Sequence, residues 1–425
     1  MSRRPNIVFT GLGAVCGAGN TVDKAWDALV NARSAVAPIR QWDASRWPVR
    51  LAAEVTADNR ELVPDRKLHK IISRSDMFGL CAAEQAVRYS GLLEYRGTLD
   101  EAAAQTFNDR SGIVVGSGGG NYHSNYCFLP LMTAANGDLT IFGRDLGSTV
   151  NPMWLLKNLP NNVLCHAGIR YSFKGTNACI ANQGVGGMMA VAEAAASLQA
   201  GEAGRVTAVG HDSPFEPEVA LYFHNLGLLS EEMLRPFDRR RSGTLFGEGA
   251  AALVLETAAE AQARGATSLG EFLGSGCVSE ATGVLNIRPD GDGVSRAIRI
   301  ALAEAAVSPD EVGMIVAHGN GTPLNDASEA AGIRSVFGGN IPPVTAFKWA
   351  YGHLFAASGI IDLVMTLIAL RQQVVPGIAT LNALDAELAP FPVSATPQTP
   401  RSDIALVICR GFGGMNVAVI VRAGP

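Results

Sequence analysis

Short runs of β-branched and small apolar residues recur along this chain with longer alanine-rich stretches between them, and no other feature constrains the fold so much. Runs at 7–10, 112–115, 206–209, 251–255, 314–317 and 404–408 lack polar alternation and predict strands buried on both faces. Segments 22–32, 78–89, 185–200, 294–305 and 355–370 predict helices. Strands bracketed by helices make a layered α/β protein, because each sheet face must be covered by something apolar. A single core stops growing near about 250 to 300 residues, so a chain of 425 is expected to form two units. No Pro/Ser linker separates them. The alanine-rich stretch 257–267 is the best seam, which gives units 1–260 and 261–425 fused into one body. The halves echo each other loosely: near Cys179 and near His353, a turn of small residues puts a reactive side chain close to a long apolar helix.

Composition narrows the function. Hydrophobic residues make up 48% and charged residues 17%, so much of the chain is buried, in its own core or against another subunit. A net charge of −5 argues against nucleic acid as the main partner, since phosphate binding needs an excess of Lys and Arg. The two arginines near the N-terminus are followed by no long apolar stretch with a cleavage site, so the cytoplasm is expected. The apolar run 354–370 is interrupted by Asp362 and falls short of the roughly 20 residues of a membrane span, so it reads as a core helix. Cysteines 16, 81, 127, 165, 179, 277 and 409 form no CxxC pair and no metal-ligand spacing, and most should be reduced and inert.

Four segments carry groups able to do chemistry. In Lys174-Gly-Thr-Asn-Ala-Cys179-Ile-Ala-Asn-Gln-Gly-Val-Gly-Gly187 the small residues suggest a tight turn feeding a helix, whose positive end would lower the thiol pKa. A buried, unreactive cysteine fits the same residues. Val316-Ala-His318-Gly-Asn-Gly-Thr-Pro-Leu-Asn-Asp326-Ala-Ser-Glu329 reads as a strand, a glycine turn and a helix capped by Asn325 or Asp326. Phe347-Lys348-Trp-Ala-Tyr-Gly-His353-Leu-Phe-Ala-Ala-Ser-Gly359 is again a histidine turn entering a helix. Taken singly, each histidine could be structural. Arg410-Gly-Phe412-Gly-Gly-Met-Asn416 lies between two terminal strands, where glycines let backbone N–H groups approach a ligand.

These segments stand in the order and with the approximate separations of the elongating β-ketoacyl-acyl carrier protein synthases, which the whole chain resembles. Val8-Phe-Thr-Gly-Leu-Gly13 is similar to that family's opening strand and turn, and Arg235-Pro-Phe-Asp238-Arg-Arg-Arg-Ser-Gly-Thr-Leu-Phe-Gly-Glu-Gly-Ala250 to its central signature. The resemblance implies the thiolase fold, five layers (αβαβα) from two similar halves, and a homodimer or a heterodimer with a related ketosynthase. It implies Cys179 as nucleophile, His318 and His353 as the paired histidines, and Lys348 and Glu329 as a supporting charged pair. It further implies an oxyanion hole from the backbone N–H groups of Cys179 and of a gating aromatic, Phe412. No metal or redox cofactor is implied, since substrates arrive on the phosphopantetheine arm of an acyl carrier protein; a Cys-His-His zinc site is the alternative for the same residues. Arg66, Lys67, Lys70 and Arg74, expected on one helix, match the carrier-docking region, although a solvated helix face would look the same.

The chain also departs from the family pattern. Asn320, Asn325, Trp349, Ile180, Asn182 and Ser242 stand where other residues are usual, which points to a specialised substrate of the polyketide or aryl-polyene kind. Two rivals remain: a thiolase, which would need a second cysteine near the C-terminus, and a non-catalytic partner that sets chain length for another synthase.

Overall fold

The computed structural model describes residues 5–119 and 128–424. Both N-terminal arginines and Cys127 lie outside the described residues. One ten-stranded sheet surface runs through the described chain. Its strands are β1 (Ile7–Cys16), β2 (Ser111–Ser117), β3 (Asn177–Ala181), β4 (Arg205–Asp212), β5 (Gly249–Thr257), β6 (Gly270–Ser279), β7 (Met314–Val316), β8 (Val344–Thr345), β9 (Ile404–Gly411) and β10 (Met415–Ala423). The first five lie in the order β1-β5-β4-β2-β3 and the last five in the order β6-β10-β9-β7-β8, the same permutation twice. Directions repeat as well. The first two pairings of each half are antiparallel and the last two parallel. β1 and β6 join the halves through a short antiparallel register at Ile7–Phe9.

The principal helices repeat too. α1 (Arg74–Tyr89), α2 (Asn162–Tyr171) and α3 (Gly186–Gln199) belong to the first half. α4 (Asp292–Ala305), α5 (Pro323–Phe337) and α6 (Ser358–Gln372) belong to the second. α1 and α2 cover the outer face of the first half-sheet, α4 packs on β6 and β10 with α5 beside it, and α3 and α6 pack together between the half-sheets. This is the αβαβα layering. The helical stretch Phe355–Gln372, α6 with the 3₁₀ turn before it, is long and apolar enough to cross a membrane, but 83% of it is buried inside the fold. The expected core helix is therefore what forms, because the two half-sheets and α3 cover it.

All six expected strands form, each buried along most of its length. β6 was not legible, because its glycines hide the strand pattern. At Gly276 a Cβ would sit 2.1 Å from the Ala297 carbonyl of α4, so the residue is dictated by close helix approach rather than by strand propensity. Two local expectations need correction. The helix after His318 begins at Pro323 with Thr322 as N-cap, not Asn325 or Asp326; proline suits the first helical position, and the Asp326 carboxylate instead accepts from the Phe237 and Gly321 N–H groups. The basic cluster does not share a helix. Leu68–Lys70 is one 3₁₀ turn, and α1 begins at Arg74 behind a Ser73–Asp76 capping box. We propose 1–260 and 261–425 as the two units, the boundary falling within the short helix Ala258–Ala263 that links β5 to β6.

Candidate active site

His318 follows β7 at the point where the strand opens into a glycine turn. Glu329, reaching back from α5, accepts the His318 N–H at 2.7 Å and the Gly319 N–H at 2.9 Å, which fixes the turn. The Arg410 N–H points at His318 Nδ1 from 3.3 Å. His353 sits just before the 3₁₀ turn that leads into α6, and its Nδ1 accepts from the Phe355 N–H at 2.9 Å. Phe355 itself holds φ at +46°, a left-handed conformation unusual for a bulky residue, at the entry to that turn. With both Nδ1 atoms accepting, each neutral imidazole carries its proton on Nε2.

The two rings lie 5.1 Å apart and tilted by 72°. They line a cavity of about 180 Å³ together with Phe223, Phe355, Phe412 and Asn320, and with Leu226, Leu228 and Val284. Burial pushes both imidazoles well below the usual histidine range, and the Lys348 charge adds to the effect. Two neutral N–H donors thus share one largely apolar chamber, an arrangement suited to stabilising oxygen charge that develops during a reaction.

Cys179 does not line this cavity. It sits on β3 opposite Val115, whereas its neighbours Ala178 and Ile180 pack into the core that contains α3. Val115 belongs to the cluster around α1 and α2. Since alternate residues of a strand face opposite ways, the sulfur points to the outer layer, away from the histidines. Its Sγ contacts the Pro160 carbonyl at 3.3 Å. The expected helix-start thiol is therefore corrected: α3 begins only at Gly186, and burial raises the Cys179 pKa against a lowering contact from Ser117. The small residues before α3 serve close packing. A Cβ on Gly116 of β2 would fall 2.0 Å from the Gly186 carbonyl carbon.

Comparison with known proteins follows from this geometry. Residues 4–261 match the family model "Beta-ketoacyl synthase, N-terminal domain", and residues 269–382 match "Beta-ketoacyl synthase, C-terminal domain". The chain belongs to the β-ketoacyl synthase family. A 3-oxoacyl-[acyl-carrier-protein] synthase 2 from Synechocystis sp. is 31% identical over 99% of this chain and 98% of its own length. Among solved structures, the ishigamide ketosynthase/chain length factor aligns with a TM-score of 0.86 at 25% identity, covering 99% of this chain and 100% of that one. A β-ketoacyl synthase from Burkholderia phymatum aligns at 0.85 and 25% identity, covering 99% of both chains. The thiolase fold of two similar halves is thus common to these β-ketoacyl synthases and to this chain.

The other residues expected from the β-ketoacyl synthase resemblance divide by geometry. Phe412 lines the histidine cavity, 5.5 Å from the Phe223 ring. Lys348 does not pair with Glu329. Its ammonium meets Asp362 of α6 at 2.8 Å with both side chains fully buried, and the Tyr351 hydroxyl donates to the same carboxylate. Glu329 stands behind His318, its pKa raised by burial against the pull of Arg410. Arg66, Lys67 and Lys70 are exposed. Arg74 is instead committed inward, donating to the Val55 and Ala57 carbonyls and lying over the Phe78 ring.

Sequence reasoning missed Asp362, Arg410 and Glu280. Arg410 bonds Asn416, Glu280 and the Asn325 carbonyl from a buried position, tying the C-terminal glycine turn to α5. A lone acid within the apolar run 354–370 was the available signal for Asp362, because a buried carboxylate needs a partner. Cys409, the cysteine a thiolase would need near the C-terminus, is fully buried against Gly184 and Gly359, which pushes its thiol up to about 12.

Proposed function

We propose that the chain catalyses decarboxylative Claisen condensation, joining an acyl group held on Cys179 to a malonyl thioester borne by an acyl carrier protein. The observation that carries this reading is the pair of histidines whose Nδ1 atoms are occupied by backbone N–H donors, leaving two Nε2–H groups in one chamber. In the loading step the Cys179 thiolate attacks the carrier-bound acyl thioester, and the carrier thiol leaves. The Cys179 and Phe412 N–H groups would hold the oxyanion, each contributing roughly 3 kcal/mol, only in a form that turns Cys179 toward the cavity that Phe412 lines. Loss of CO₂ from the malonyl thioester then yields an enolate, whose oxygen accepts from His318 and His353. Burial, with the Lys348 charge adding to it, opposes protonation of both rings and keeps them neutral donors. The enolate carbon attacks the acyl-cysteine carbonyl, the Cys179 thiolate is expelled, and the β-ketoacyl product stays on the carrier.

Both substrates would enter on a phosphopantetheine arm, with Arg66, Lys67 and Lys70 meeting the acidic carrier. The chain would act as a dimer with a copy of itself or with a related ketosynthase, on a specialised polyketide or aryl-polyene substrate. Six cysteines among the described residues are free thiols, which suits the reducing cytoplasm.

The outward orientation of Cys179 favours a second reading, a non-catalytic partner that sets chain length for another synthase. Intact-mass spectrometry with a panel of acyl carrier protein thioesters separates the two. An adduct on the unaltered protein that vanishes in Cys179→Ala establishes the nucleophile; no adduct across the panel points to the partner role.

A further inference from the structure

The histidine chamber holds donors but no nucleophile. Among the described residues, its lining includes no cysteine, serine, lysine or carboxylate, and Gly184 is the one residue between β3 and α3 that reaches it. No side chain fits there in this packing: a Cβ on Gly184 would fall 2.3 Å from the Gly411 Cα. Cys409, whose Sγ contacts the Gly184 carbonyl at 3.4 Å, is fully buried and does not line the chamber. The lining hydroxyls are those of Thr244 and Thr322, and Thr322 Oγ1 already donates to Asn320 Oδ1 at 2.9 Å. Neither hydroxyl has a base to activate it. With Nδ1 of each histidine taken up by a backbone N–H, both neutral rings carry the proton on Nε2 and present donors alone.

Such a chamber can break a bond that needs only charge stabilisation, and offers nothing to receive an acyl group. We propose that it decarboxylates malonyl thioesters without an acyl acceptor, an activity distinct from condensation. The inference rests on the histidine reading above and is independent of where Cys179 points. The bond from the α-carbon to the carboxylate breaks, CO₂ leaves, and the electron pair passes into an enolate whose oxygen accepts from the two Nε2–H groups. With no acyl carbonyl in reach, the α-carbon takes a proton from water and a C–H bond forms. An acetyl thioester stays on the carrier, and the hydroxide combines with CO₂ as bicarbonate. Water has a way in, because Val284 and Leu285 line the chamber and are 71% and 47% exposed. Size agrees. The cavity of about 180 Å³ lies below the roughly 300 Å³ at which sites for drug-sized ligands begin, so it suits a short acid rather than a long acyl chain lying beside one. The reaction that consumes the product is transfer of the acetyl group to a condensing enzyme's thiol, which places this chain at the supply of a starter unit.

The test gives the unaltered protein a malonyl carrier thioester with no acyl thioester present, and reads CO₂ release together with the intact mass of the carrier. Acetyl carrier should accumulate over many turnovers, well above the rate in buffer, and adding an acyl carrier thioester should leave the rate of CO₂ release unchanged. His318→Ala and His353→Ala should each slow that release by about 100-fold or more, the size expected for one lost preorganised donor. Release that stays at the buffer rate until an acyl thioester is added would overturn the inference. Acetyl carrier that forms at the unaltered rate in both histidine variants would instead overturn the reading of the histidines as donors, so the two failures are read apart. The unaltered protein decides the first question even where a variant fails to fold.

Discussion

At the scale of single residues, the two histidines differ in address but share one device, a backbone N–H pinned on Nδ1. Replacing His318 or His353 by alanine should lower malonyl decarboxylation and condensation by about 100- to 1,000-fold, the usual cost of one preorganised donor, while leaving acyl loading of Cys179 detectable. Carbon dioxide release and intact mass read the two steps apart; equal loss of both would remove the donors from the decarboxylation step. The pH profile follows from the same burial. Both rings are held below the ordinary value of 6.5, so they stay neutral in the fold as pH falls through it. The histidine-dependent decarboxylation rate should therefore show no inflection near 6.5, and a midpoint at or above that value would mean the rings titrate freely. The sign for stability agrees: below 6.5 the unfolded chain takes up protons that the folded rings refuse, so these histidines make the fold weaker as pH drops. Glycine turns marked the segments that carry the histidines and Phe412, and the family resemblance supplied the roles expected of them. The orientation of Cys179 was not, since a run of small residues reads equally as a helix start or as an edge strand.

At the scale of elements, α6 explains both what the sequence reveals and what it hides. Its apolar run marks a core helix at once, because every face of it meets a sheet or another helix. The purpose of Asp362 within that run depends on Lys348, which arrives from a separate turn and is invisible to periodicity. With both groups fully buried, Asp362→Ala strands an ammonium and removes the Tyr351 acceptor, and should destabilise the protein by about 3 to 5 kcal/mol. Replacing the pair together, Lys348→Met with Asp362→Leu, should recover much of that loss, because no unpaired charge remains. Urea melts measure both. A single variant that melts like the unaltered protein would mean the pair is solvated rather than buried. The doubled strand permutation was hinted at only by the loose echo between the Cys179 and His353 turns. Its β6, β3 and β8 members stayed hidden, the first by glycines that admit α4, the second because its small and polar residues read as a turn, and the third because it has only two residues.

At the scale of the whole molecule, the doubled fold puts reactive groups from different parts of the chain around one chamber, and a carrier must find its mouth. The chain carries a net charge of −5, and an acidic carrier would be repelled at long range. Attraction must then come from a local patch that acts within about 10 Å at 0.1 M salt. Arg66, Lys67 and Lys70 are exposed and free to supply it, whereas Arg74 holds α1 to the 55–59 loop. Reversing the three exposed charges together should lower kcat/KM for carrier-borne substrate by about 10- to 100-fold at low salt while holding kcat, because steering governs encounter rather than chemistry. The deficit should shrink as salt is raised, and a substrate on free pantetheine, with no carrier to steer, should be turned over unchanged. Arg74→Glu should behave differently, losing stability with carrier and pantetheine substrates alike. A triple variant that keeps its full carrier-dependent kcat/KM at low salt would move the docking surface elsewhere on the molecule.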